Sequence, residues 1–195
     1  MSNIKVHTFF IALFLLVYFS VKTFVEPQRQ IVFYVSTFGF LSLLSIIFVI
    51  SIPVLVKMKN TKFTTFLMAE RRWIGIYTFF LALTHMLLVY NFFFGWDINK
   101  LLNHPNKVFL FLGSLALVIL ALLAITSNNY SVKKLGKNWK KLHALIYLAL
   151  LLVLIHSFRI GLIYLKLDWV KILIIALLAL VLYLKFIKFR KVYKK

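Results

Sequence analysis

The 195-residue chain contains no cysteine. That excludes disulfides, thiolate ligation of haem and cysteine-held iron–sulfur clusters. Acidic residues are almost as scarce: Glu26, Glu70, Asp97 and Asp168 are the whole set. Hydropathy puts each of them in a connection or at the end of an apolar run. Proton-coupled pumps and transporters place carboxylates in mid-membrane relays, and this chain offers none for the purpose. Among six glycines and three prolines there is no GxGxxG and no P-loop, so no nucleotide-binding fold is encoded. Internal repeats and low-complexity segments are also missing.

What the chain has instead is apolar length. Hydrophobic residues make up 63% of it and charged residues 14%, far from the soluble average. Six runs approach the roughly 20 residues needed to cross a bilayer as helix, at about 8–25, 31–56, 73–94, 108–126, 142–164 and 169–187. The first resembles a signal-peptide core, but KTFVEPQR follows it with no small-x-small cleavage site, so it reads as a retained span. The expected fold class is an all-α polytopic membrane protein, with residues 1–195 forming a single transmembrane domain.

A net charge of +20 would suggest nucleic acid in a soluble protein. Here the cations flank the apolar runs, which is the pattern of membrane topology, so a nucleic-acid role is excluded. Six spans put both termini on one side. That side carries Lys5, the basic residues of 57–72 and 127–141, and the tail from Lys185, together 17 of the 24 cations. The other side carries Lys22, Arg29, Lys100, Lys107, Arg159, Lys166 and Lys171. The positive-inside rule then places both termini in the cytoplasm of a cytoplasmic (inner) membrane.

Two histidines lie deep in these runs. His85 is 13 residues past Arg72, and His156 is 15 past Lys141, so both sit roughly 20 Å from the basic side. Intramembrane imidazoles are costly and mark function. A pair at matched depth on two helices is what a bis-histidine haem requires, so haem is expected between helices three and five. His143 lies near the basic side, at the level of a second, stacked haem. A spacing of 13 residues turns His143 about 220° away from His156. For both to serve one haem groove, span five needs a bulge or kink, or the haem an unusual tilt. The positions that would supply an inner partner in span three are Arg71 and Arg72, so one haem is favoured over two.

Arg71 and Arg72 fit topology determination. Their guanidinium forks also suit haem propionates or a flavin phosphate. His7 reads as an interfacial residue or the missing inner ligand, and His104 as a surface residue. Trp73, Trp96, Trp139 and Trp169 read as an aromatic belt. Gly39, Gly75 and Gly113 would permit close approach of a helix or a macrocycle.

Two segments carry a family resemblance. ERRWIGIYTFFLALTHMLLVY pairs arginines and a glycine with a single-histidine span. AITSNNYSVKKLGKNWKKLHALIYLALLLVLIHS contains TS, LG, W, LH, Y and H in series. Both resemble the ferric-reductase-like transmembrane family, above all its haem-binding subunits of periplasmic methionine sulfoxide reductase systems. EPQRQIVFYVSTFGFLSLLSIIFVISIPVLV extends the resemblance, keeping Gly39 and Pro53 but not the threonines that precede them in those subunits. The resemblance covers about residues 26–160. It implies b-type haem with His85, His143 and His156 as ligands, FMN as a further cofactor, and electrons drawn from a cytoplasmic flavin reductase or quinone. The acceptor it implies is a periplasmic molybdenum enzyme that repairs oxidised methionine. The expected function is thus a haem b electron-transfer subunit of an oxidoreductase system. The alternatives are a stand-alone ferric or quinone reductase subunit, and a haem-free channel or scaffold.

Overall fold

The computed structural model describes residues 2–192, with side chains over 4–187. All regular structure among the described residues is helical. Helix α1 is Ser2–Phe24, α2 is Gln30–Met58 and α3 is Lys62–Val89, which continues as a wider π-turn over Tyr90–Phe94. Short α4 (Ile98–Leu102) leads into α5 (Lys107–Ile125). Then come α6 (Asn129–Leu135), α7 (Lys137–His143), α8 (Ile146–Ile160) and α9 (Asp168–Val192). Among the described residues six stretches are long and apolar enough to cross a membrane. The chain is a multi-pass, all-α membrane protein.

The bundle is built on two helix pairs. α2 packs along α3, α5 packs along α8, and α3 meets α5 between the pairs. Helix α2 is apolar around its whole circumference because it is covered on two sides. Phe38, Val49 and Ile52 join Leu81 and the α1 residues Phe10 and Val17 in one core. Leu43, Ile46 and Ile50 join Leu120, Ala149 and Ile174 in the other. A helix with no polar face is one that has no exposed face to water.

Three boundaries differ from the hydropathy reading. The segment 57–72 is not a loop: α2 runs to Met58 and α3 starts at Lys62. Thr61 and Thr64 form a reciprocal capping box that starts the new helix at once. With its π-turn, this helix covers 33 residues, about 50 Å, so it is longer than the bilayer core is thick. The segment 127–141 likewise carries α6 and α7, joined at Gly136, whose φ of 51° is open to glycine. Finally, Glu70 is not in a connection. It lies inside α3 and is 2% exposed, a buried carboxylate that hydropathy averaging over a cationic stretch conceals.

Leu81, fully buried between α1, α2 and α3, should be among the costliest truncations. Leu81→Ala is expected to lose about 2 kcal/mol or more in unfolding measured in micelles. Leu173→Ala, at a position 60% exposed, should stay within about 0.5 kcal/mol of the parent.

An intramembrane histidine pair as the candidate functional site

The structure brings His85 of α3 and His156 of α8 together, with ring centroids 6.3 Å apart and planes at 85°. Each ring is held in the same way. His85 Nδ1 donates to the Val35 carbonyl of α2 at 2.8 Å. His156 Nδ1 donates to the Phe109 carbonyl of α5 at 2.8 Å. A carbonyl only accepts, so Nδ1 carries a proton in both rings, and in the neutral imidazole Nε2 then keeps its lone pair. Neither Nε2 has a hydrogen-bond partner among the described residues. Two imidazoles oriented by backbone acceptors, with bare nitrogens left over, are the arrangement in which metal-binding histidines have their outer hydrogen bonds made.

The carbonyls are reachable for a local reason. In an α-helix the carbonyl of residue i lies beneath the side chain of residue i+4. Four residues after Val35 stands Gly39, and four after Phe109 stands Gly113. A β-carbon on Gly39 would come within 2.8 Å of the His85 ring, and one on Gly113 within 2.6 Å of the His156 ring. Glycine removes the side chain that would cover the acceptor, and the imidazole of the neighbouring helix takes that space. The device appears once in each helix pair. Gly75, the third glycine singled out above, faces open space.

A cavity of about 510 Å³ opens beside the pair, lined by His85, His156, Gly39 and Gly113 and by apolar residues such as Phe40 and Leu117. Its size lies in the range of cofactor sites. The ring spacing also suits one metal ion between the two histidines. Metal–imidazole bonds of roughly 2 Å on either side, plus the roughly 1 Å from each nitrogen to its ring centre, give about 6 Å. The cavity continues to the less basic end of the bundle, where His104, Arg159 and Lys166 line it. His104 is therefore more than a surface residue: Nδ1 accepts the Asn106 amide at 3.1 Å and the ring edge meets Phe94.

The structure sets His143 apart from this pair. The helix breaks after His143, and α8 starts afresh at Ile146. This is the interruption that the 13-residue spacing called for, yet His143 faces other partners. Its Nε2 lies 3.2 Å from the Thr126 hydroxyl, and its ring stacks on Trp139 at 4.0 Å. His7 is elsewhere again, bonded through Nδ1 to the Tyr77 hydroxyl at 2.8 Å and edge-on to Trp73. Trp73 and Trp139 thus serve as ring partners of histidines, while Trp96 and Trp169 are 58% and 64% exposed. Arg71 donates Nε to the Val49 carbonyl at 3.0 Å. Arg72 donates to Asn129 at 2.7 Å and lies over Trp139. Both are within electrostatic reach of His143, so the basic end gathers a second polar cluster around that residue.

Six membrane-crossing helices around a histidine pair and its cavity define a helical membrane protein with an intramembrane ligand site. By its sequence the chain belongs to a known family of that class, the ferric reductase like transmembrane component family, whose model matches residues 36–154. It is similar to the protein-methionine-sulfoxide reductase heme-binding subunit MsrQ of Brucella anthropi, at 37% identity over 81 residues. That stretch is 41% of this chain and 37% of the relative. The MsrQ subunit of Brucella ovis is 34% identical over 85 residues, 43% of this chain and 39% of that protein. The matched stretches thus cover well under half the length of these curated relatives.

The two glycines should be intolerant and the third indifferent. Gly39→Ala and Gly113→Ala are each expected to lower stability by about 1–3 kcal/mol through displacement of the ring. Gly75→Ala should be neutral or gain up to about 1 kcal/mol from helix propensity. Thermal unfolding of the three variants checks this, and equal shifts in all three would contradict the close-approach argument.

Proposed function

We propose that this chain is a haem-binding membrane redox subunit, with residues 1–195 acting as one haem-binding unit. The observation that carries the reading is the His85–His156 pair: two neutral imidazoles 6.3 Å apart, each fixed through Nδ1 and each with Nε2 bare beside the cavity. Family membership and the heme-binding subunits among the relatives support the same conclusion. His85 and His156 would hold haem b through their bare Nε2 atoms. When bound, that group supplies a reversible one-electron centre whose potential depends on its ligands and its burial.

The chain's own contribution is positional. The Val35 and Phe109 carbonyls orient the ligand rings and raise their basicity. Gly39 and Gly113 leave room for them, and the apolar lining would keep water from a bound haem. Two helix pairs, each supplying one ligand, make the site a clasp between α2–α3 and α5–α8.

One haem per chain fits this arrangement, since His143 already engages the Thr126 hydroxyl and the Trp139 ring. His143, Arg71 and Arg72 at the basic end are better suited to the electron donor. There the Arg72 guanidinium beside Trp139 would meet the phosphate of FMN or the edge of a quinone. With the basic side in the cytoplasm of an inner membrane, electrons would pass from a cytoplasmic flavin reductase or quinone to a periplasmic reductase. The relatives' names point to a methionine sulfoxide reductase as that acceptor.

The test is a reduced-minus-oxidised visible spectrum of the purified protein with haem quantified against chain. A b-type spectrum near one haem per chain is expected. It should be lost in His85→Ala and His156→Ala and kept in His143→Ala. Full, unshifted haem in both of the first two variants would overturn the ligand assignment. Near two haems per chain, falling to one in His143→Ala, would make His143 a ligand as well.

A further inference from the structure

The mouth of the cavity holds more polar groups than an apolar cofactor face needs. Arg159 lies one helical turn past His156, toward the less basic end, and both Arg159 and Lys166 line the cavity there. Neither forms an ion pair with a carboxylate among the described residues; the two pairs present are Arg29–Glu26 and Lys171–Asp168. Lys166 stands on a turn that is fixed in place. Its neighbour Tyr164 bonds the Thr37 hydroxyl at 3.0 Å and stacks on Phe40. His104 accepts at Nδ1 from the Asn106 amide, so the neutral ring carries its proton on Nε2 as a further donor.

A second observation is independent of charge. Ser36 Oγ is buried with no hydrogen-bond partner, the one such side-chain atom among the described residues, and Ser36 lines the same cavity. Hydroxyls within membrane helices ordinarily bond back to the carbonyl one turn before. Thr78, Thr84 and Ser114 do so here, to Ile74, Phe80 and Leu110. Ser36 does not. It lies three residues before Gly39 on α2, toward the cavity mouth, with a donor unused in a site where an unmade bond is costly.

We propose that Arg159, Lys166, His104 and Ser36 form a carboxylate-binding collar. It takes the two propionates of the tetrapyrrole and turns its acidic edge toward the less basic end of the bundle. The inference rests on the histidine-pair reading above, and it moves the propionate role from Arg71 and Arg72 to the opposite end of the helices. Cation–carboxylate hydrogen bonds at the rim of an apolar cavity are the strong kind. They would give a nearly symmetric macrocycle one preferred orientation.

The experiment titrates haem-depleted full-length protein in micelles with haem and, separately, with haem dimethyl ester, whose propionates are masked. Arg159→Gln, Lys166→Gln and Ser36→Ala are compared with the parent, and visible absorbance reports binding. Arg159→Gln and Lys166→Gln should each weaken haem binding about tenfold or more, with Ser36→Ala weakening it less. Affinity for the ester should be the same in all four proteins, and Arg159→Lys should recover most of the loss. Variants that weaken both pigments equally, or neither, would overturn the collar while leaving the ligand assignment intact. Failure of the parent to bind either pigment, or binding that persists in His85→Ala, would instead remove the reading on which the collar rests.

Discussion

Everything at the centre of this molecule depends on one kind of bond, the donation of an imidazole Nδ1–H to a backbone carbonyl on the next helix. A histidine in an apolar bundle has no water to satisfy it, and an unpaired ring nitrogen would cost stability and leave the ring free to turn. The Val35 and Phe109 carbonyls remove that freedom. They also decide the tautomer, and with it which nitrogen is left to bind a metal. The acceptors come from helices that already spend those carbonyls in their own ladders, as second lone-pair bonds. No polar side chain is needed, which is how a chain with four acidic residues can orient two intramembrane histidines.

The glycines follow from the same constraint. The two rings reach their helical carbonyls because the side chain four residues later is missing, at Gly39 and Gly113. The helix pairing follows in turn. Each histidine helix must lie against its glycine helix closely enough for a 2.8 Å contact, so α2–α3 and α5–α8 become the structural units. The cavity is the space left where the two units face each other. Polar groups are then sorted by depth: His85 and His156 in the apolar middle, Arg71, Arg72 and His143 at the basic end, and Arg159, Lys166 and His104 at the other.

Membrane crossing, helix count and the depth of His85 and His156 were legible along the chain, because each depends on local hydropathy and a fixed rise per residue. A break in span five was expected only as the condition for His143 and His156 to share one groove, which they do not. The break after His143 has no proline or glycine to mark it in the sequence. The extra turns of α3 were hidden because its first residues are cationic and amphiphilic, and hydropathy reports burial in lipid rather than helicity. His104 was taken for a surface residue, and Ser36 passed unnoticed, for a different reason. Nothing in NHPN or VSTF distinguishes a cavity lining from an ordinary loop or helix face.

By itself the sequence determined the number of spans and the matched depth of two imidazoles, since these are sums over contiguous residues. Only the tertiary structure decided which carbonyl each ring would use, that Gly39 and Gly113 matter and Gly75 does not, and that His143 turns to Thr126 and Trp139. The two ring bonds join residues 50 and 47 positions apart, and the Thr126 contact of His143 spans 17. Helix rotation and packing set such distances, and no local pattern in the chain encodes them.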